Sequence, residues 1–252
     1  MSPTSKPRGA AVRRAQNRES MRTAIIEVAG ELVSEQGVDG LSIRELAKRL
    51  GYSAGAIYDY FASREEILAR LYFQGTNGLD TEVRTVLGVL APDATAMEQL
   101  IATGHAYRNH ALAHPELYRL IFGGIKQLPI REHHEENVAF DQLIRIAVKG
   151  VAEGEFADQP VPLICAAAWA AVHGFVSLEI TGHVTGGPQP GSPIDPEEGR
   201  ANRDAMFAVT LSTVVRGLAS EAWLARNPPV TMHGNPLIAA SVDLTPDTSA
   251  TD

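Results

Sequence analysis

Gly51-Tyr52-Ser53-Ala54-Gly55 has the G-x-S-x-G spacing of a nucleophile elbow, in which a serine on a sharp strand-to-helix turn attacks an acyl carbon. That chemistry needs a buried β-strand leading into the serine. The preceding Glu45 to Leu50 reads instead as a polar, capped helix, and no Val/Ile-rich strands occur elsewhere. An α/β-hydrolase using Ser53 is therefore only a remote alternative, and the chain is not read as an enzyme. His110 and His114 stand four apart, a spacing that puts two imidazoles on one helix face for a metal, and His133, His134 and Glu136 form a second cluster. Neither set has a clear third ligand, so no metal site and no cofactor are assigned. Cys165 is the single cysteine. It excludes an intramolecular disulfide and a Cys-based zinc site, and it suits a reducing, cytoplasmic setting.

The charge is distributed unevenly. Over 252 residues, 22 Lys+Arg face 30 Asp+Glu, a formal net charge of −8 that on average argues against a nucleic-acid partner. Residues 1–70, however, hold 11 basic against 9 acidic side chains, and the rest of the chain holds 11 against 21. Lys6, Arg8, Arg13, Arg14, Arg18 and Arg22 precede all but one acid, Glu19. A basic arm on an acidic body points to an anionic partner at one end.

The elements that must position these residues read as helices throughout, because apolar residues recur at helical spacing and no stretch alternates strictly. Residues 13–36 carry the stripe Ile25, Val28, Ala29 and Leu32, with Gly37 expected as a left-handed cap. Ser42-Ile43-Arg44-Glu45 matches a reciprocal capping box, Gly51 ends that short helix, and Ser53 can cap a third through about Tyr60. Ser63-Arg64-Glu65-Glu66 is a second box, opening a longer helix. Further helices are expected at roughly 95–113, 115–122, 131–153, 161–181 and 198–226, with a Gly/Pro-rich connection at 186–199. The expected organisation is a flexible basic arm (1–17), a first domain of short helices (18–77), a second domain of longer helices (78–226) and a disordered tail (227–252).

Two short helices joined by a tight turn at Gly51 form the helix-turn-helix pattern, whose second helix enters the major groove. Leu41, Ile43, Leu46, Ala47, Leu50 and Ile57 would hold the pair against the first helix, small Ala47 letting the backbones approach closely. Thr23 to Tyr72, with Ser42-Ile43-Arg44-Glu45-Leu46-Ala47, Gly51-Tyr52-Ser53 and Ile57 to Glu66, resembles the DNA-binding domain of TetR-type transcriptional regulators. The resemblance implies an all-α fold, with a three-helix N-terminal reader and a C-terminal helical domain. It also implies phosphate contacts from Tyr58 and Tyr60, a groove-edge position for Ser42 and Arg44, and a phosphate contact from Arg64. The chain departs from the family at Ala54, Ala56 and Asp59, where Lys, Thr and His are common. The second helix thus presents Ala54 and Gly55 rather than bidentate base readers. Readout is expected to be shared by backbone contacts, Tyr52, Ser53 and Ser42 or Arg44, with the arginine arm adding phosphate or minor-groove contacts.

Val161 to Ile180 is about the length of a membrane span, but it is mostly Ala, contains Pro162, His173 and Ser177, and lacks flanking Lys/Arg. It reads as a packing helix with a small-residue ridge at Ala166, Ala170 and Gly174, and no membrane is expected as a partner. Ala205, Ala208, Val209, Ser212, Val215 and Leu218 or Ala219 offer a partner stripe. By the resemblance these two helices would form a four-helix dimer bundle, and Trp169, His173 and Gly174 resemble the Trp-His-Gly type of C-terminal domain. An effector pocket is expected to be lined by Tyr107, His110 and Phe122, with His114 and Tyr118 nearby, facing Trp169 and His173. The expected partners are a palindromic double-stranded DNA operator, a small-molecule effector and a second copy of the chain. The expected activity is ligand-released repression, with activation or ligand-independent regulation as alternatives on the same residues.

Overall fold

A computed structural model of the chain describes residues 7–123, 138–187 and 193–228. His133, His134 and Glu136, residues 188–192 of the Gly/Pro-rich connection and residues 229–252 of the expected C-terminal tail lie outside them. The described residues form helices α1 (Pro7–Gly40), α2 (Ile43–Leu50), α3 (Ala54–Tyr58), α4 (Arg64–Val89), α5 (Ala96–Ala113), α6 (Pro115–Phe122), α7 (Val138–Ala152), α8 (Val161–Ile180), α9 (Pro196–Leu218) and α10 (Glu221–Arg226). The only extended pairing among these residues is an isolated bridge between Phe156 and Ala219.

Helix α1 starts at Pro7, so residues 7–17 continue the helix where a flexible arm was expected. Pro7 supplies a favourable first position and Ala10 to Gln16 contain no breaker, while the side chains of Ala11 to Ser20 are exposed. The helix breaks at Gly37, with φ 74° and ψ 175°. That is a positive-φ, extended conformation open in practice only to glycine, and not the left-handed helical cap expected from the sequence.

Residues 1–146 and 147–252 form two compact units. Residue 77, the expected domain boundary, lies inside the continuous α4. In the first unit, Ile25, Ala29, Leu32 and Val33 of α1, Leu46 and Ala47 of α2, Ile57 of α3, and Ile67, Leu68 and Leu71 of α4 form one buried core with Leu120 of α6. Two glycines bring neighbouring helices close to α4. A Cβ at Gly75 would meet Ile121 Cδ1 at 3.0 Å, and one at Gly78 would meet His110 Cε1 at 2.8 Å. Thr95 and Glu98 form a full capping box at the start of α5, with Thr95 accepting from the Glu98 amide and Glu98 from that of Thr95.

In the second unit, α8 and α9 bury Ile164, Cys165, Ala168, Val172 and Val176 with Phe207, Leu211, Val215 and Leu218. Phe175 and Phe207 pack with ring centroids 5.2 Å apart. The expected single helix 198–226 is divided here. Ala157 donates to the Leu218 carbonyl and Ser220 to that of Glu155, each at 2.8 Å, which pulls Ala219 out of the helix. Ser220 then caps α10, its hydroxyl accepting from the Trp223 amide.

Candidate nucleic-acid interface

The turn between α2 and α3 is set by one backbone conformation. Gly51 has φ 73° and ψ 27°, with its amide directed to Lys48 O at 3.2 Å and the next amide, Tyr52, to Ala47 O at 2.9 Å. This pair of bonds is a Schellman closure, in which a left-handed residue satisfies the last carbonyls of one helix and redirects the chain into the next. A Cβ at Gly51 would touch nothing within 4 Å, so glycine is required by φ alone and not by space.

Serines begin the helices on either side. Ser42 Oγ accepts from the Glu45 amide, Ser53 Oγ from the Ala56 amide and Ser63 Oγ from the Glu66 amide, each at 3.2 Å. The reciprocal halves of the two expected boxes are redirected. Glu45 faces Lys48 at 3.6 Å and Arg49 at 3.9 Å. Glu66 accepts from the Ala62 amide at 2.7 Å and pairs with Arg22 at 3.2 Å. Glu45 is drawn to the two cations beside it, whereas Glu66 divides its oxygens between the Arg22 guanidinium and the amide before the cap residue. For Ser53 this geometry also removes the elbow: α2 precedes it, not a strand, and its hydroxyl is occupied as a cap.

Around that turn, Ser42, Arg44, Tyr52, Ser53, Gly55 and Tyr58 are exposed and Ala54 is half-buried. Tyr52 is 49% and Tyr58 54% exposed, while Ile57 between them is buried at 1%. A large aromatic left in water on a short helix keeps its hydroxyl available to a phosphate oxygen. Lys48 stands out at 78% side-chain exposure. Arg49 is instead engaged, forking onto Glu35 with Nη1 at 3.1 Å, and this contact holds the Glu35 carboxyl below its ordinary range.

Two expected contact residues also make contacts within the fold. Arg64 donates from Nε to Leu41 O at 2.7 Å and from Nη2 to Val38 O at 2.6 Å, tying α4 to the last turn of α1 and the loop that follows it. It is a clamp on that loop rather than a cation held out for phosphate. Tyr60 is half-buried against the core, and Arg18 lies over its ring at 5.3 Å. Arg18 Nη2 also donates to Asp59 O at 2.6 Å, and Arg22 Nη1 donates to Tyr60 O while its guanidinium stacks on Phe61 at 4.1 Å. The charge pattern alone groups Arg18 and Arg22 with the phosphate-binding arm; the fold directs them to the carbonyls of Asp59 and Tyr60, just past the end of α3. Their spacing of four, one helical turn apart on α1, was the available signal that they act together.

The family model for bacterial regulatory proteins of the tetR family matches residues 25–71, and that for the tetracyclin repressor-like C-terminal domain matches residues 100–198. The chain belongs to the TetR family of DNA-binding transcriptional regulators. The HTH-type transcriptional regulator Rv1816 of Mycobacterium tuberculosis is 26% identical over 194 residues, covering 66% of this chain and 82% of that protein. A solved protein of unknown function from Rhodococcus sp. RHA1 aligns with a TM-score of 0.65 at 26% identity, covering 79% of this chain and 95% of its own. The TetR-family regulator PfmR of Thermus thermophilus shares the fold, with a TM-score of 0.50 at 23% identity, covering 75% of this chain and 97% of its own.

The regulator's candidate effector residues fall in separate units. In the first, Tyr107, Tyr118 and Phe122 form an aromatic cluster, with centroids 6.2 Å apart for Tyr107–Tyr118, 6.3 Å for Tyr107–Phe122 and 4.9 Å for Tyr118–Phe122. Burial pushes the Tyr118 phenol above its ordinary value, its hydrogen bond with Tyr107 opposing this. His110 Nε2 lies 3.2 Å from Gly75 O; because a carbonyl only accepts, that nitrogen carries the proton. Burial, then the charge of His114 at a ring distance of 5.0 Å, lowers the His110 pKa. In the second unit, Trp169 and His173 pack 5.6 Å apart, with Trp169 42% exposed. Burial lowers the His173 pKa.

Proposed function

We propose that this TetR-family protein is a cytoplasmic, homodimeric repressor released from a palindromic operator by a small molecule. The observation carrying the ligand response is the two-sided packing of α6. Tyr118 and Phe122 belong to the aromatic cluster, while Leu120 lies in the buried core beneath the helix-turn-helix, with Leu117 packed against it. A molecule wedged among Tyr107, Tyr118 and Phe122 would shift a helix that packs on α1 and α4, which share their core with α2 and α3. Packed cores switch between discrete arrangements, so such a shift can reach α3 as a change of pose. An aromatic or apolar effector suits those rings, with His110 as a polar neighbour.

The dimer reading rests on α8 and α9. Helix α8 is long and apolar enough to cross a membrane by length and composition, yet only 28% of its most apolar window is buried within the chain. Ala166 and Ala170 are exposed, Gly174 is partly so with open space at its Cα, and Leu163 and Leu178 point outward. On α9, Ala208, Val209 and Ser212 are exposed, beside half-buried Ala205. Val215 and Leu218, expected on that outward stripe, are buried on the Phe207–Leu211 face, as is Ala219 beyond it, because helical periodicity separates the two stripes. A second copy would cover the small-residue ridge and set two half-sites about 34–36 Å apart.

The deciding experiment is selection of a duplex by the purified protein from a random-sequence library, followed by a thermal-shift screen of aromatic and apolar compounds. Compounds that raise the melting temperature should release the selected duplex. Stabilising compounds that leave the complex intact would overturn the ligand-released reading. A selected sequence without inverted symmetry would overturn the dimeric operator.

A further inference from the structure

A recognition helix of five residues, Ala54–Tyr58, is too short to hold itself together, since isolated helices below about 12–15 residues are marginal in water. Its rigidity must come from outside. Ser53 caps the N-terminal end, accepting from the Ala56 amide at 3.2 Å. At the other end, the carbonyls of Asp59 and Tyr60 face donors from α1: Arg18 Nη2 at 2.6 Å from Asp59 O, and Arg22 Nη1 on Tyr60 O. Cations at a helix C-terminus also complement its dipole. The same Arg18 guanidinium covers the Tyr60 ring at 5.3 Å.

From this geometry we infer that Arg18 is a positioning residue for DNA reading. It holds the C-terminal end of α3 and the Tyr60 ring in one pose and does not itself bind a phosphate. The inference rests on DNA reading by α3 and on Tyr60 as a side chain facing the duplex. Without Arg18, the segment from Tyr58 to Tyr60 samples several poses, and the cost of ordering it moves into the binding step. Arg22 shares the task, but it also stacks on Phe61 and pairs with Glu66, so its loss would disturb the core. Exposed Arg18 is the cleaner probe.

The discriminating measurement is the salt dependence of affinity for a duplex selected by the wild-type protein. A phosphate-binding cation contributes about 0.9 to the slope of log affinity against log salt, whereas a positioning residue contributes none. R18Q should bind roughly tenfold more weakly, with an unchanged slope, at temperatures where circular dichroism shows both proteins fully folded. R18K keeps the charge but not the planar fork, and should recover little of the loss. A slope that falls by about 0.9 for each arginine removed would overturn the inference, as would wild-type affinity in R18Q or full recovery in R18K. Y60F is measured in parallel. If it binds like wild type, Tyr60 leaves the interface, and a weak R18Q is then attributed to the Asp59 carbonyl and α3 alone.

Discussion

Replacing Gly51 with alanine isolates the contribution of a single dihedral angle to the DNA reader. At φ 73° and ψ 27°, an L-residue with a Cβ costs about 1–2 kcal/mol. No steric cost is added, because the new methyl would have open space out to 4 Å. Alanine also restricts the unfolded chain, which returns about 0.4–1 kcal/mol. The net destabilisation is therefore about 1 kcal/mol, a melting shift of about 2–4 °C for a chain of this size. Asparagine tolerates the left-handed region better and should lose clearly less. Denaturant titration of wild type, G51A and G51N, followed by circular dichroism, reads the series. Equal losses in G51A and G51N, or no loss in G51A, would refute the conformational account. A loss well above about 2 kcal/mol would mean that the space at Gly51 is not open as described.

Three further outcomes follow from the same structure. R64M leaves the carbonyls of Val38 and Leu41 without their charged donor and should cost about 2 kcal/mol by denaturant titration; a neutral result would return Arg64 to the set of free cations. The His110 pKa is lowered in the fold by burial and by His114, so its neutral form is favoured there. The stability this contributes is complete above the unfolded value of about 6.5 and is lost as pH falls through the lower folded value, so H110Q should flatten the acid-side drop in melting temperature, and an unchanged profile would exclude His110 as its source. On the outward ridge of α8, A170E should give a folded monomer in analytical ultracentrifugation, and a persistent dimer would move the interface elsewhere.

Much of the DNA reader is a local matter and was therefore legible. The serine caps at 42, 53 and 63, the stop at Gly51 and the buried set Leu41, Leu46, Ala47 and Ile57 each depend on residues within one or two helical turns. The charge asymmetry likewise located the acidic body apart from a basic end. Periodicity also exposed the ridge Ala166, Ala170 and Gly174 on α8. It could not tell which of two stripes on α9 faces inward, because both are apolar enough to be buried; Phe207 packing on Phe175 selects one.

Long-range pairing was out of reach of any such reading. Arg64 was expected at a phosphate and is bound to Val38 and Leu41, 26 and 23 residues away; Arg18 and Arg22 meet carbonyls 41 and 38 residues away. An arginine's type announces five donors but not their acceptors, and those are decided when α1, α3 and α4 close on a common core. The unit boundary near residue 146 has the same origin. Leu120 of α6 completes the core under the helix-turn-helix, and no local pattern in Pro115–Phe122 says so. By itself, the order of residues determined where α2, α3 and α4 start, where α2 stops and which end carries positive charge, since those follow from neighbours along the chain. Which arginines stay free for DNA and which hold the reader in place was decided only by tertiary packing, where a charged side chain goes to the unpaired carbonyls that folding brings within its reach.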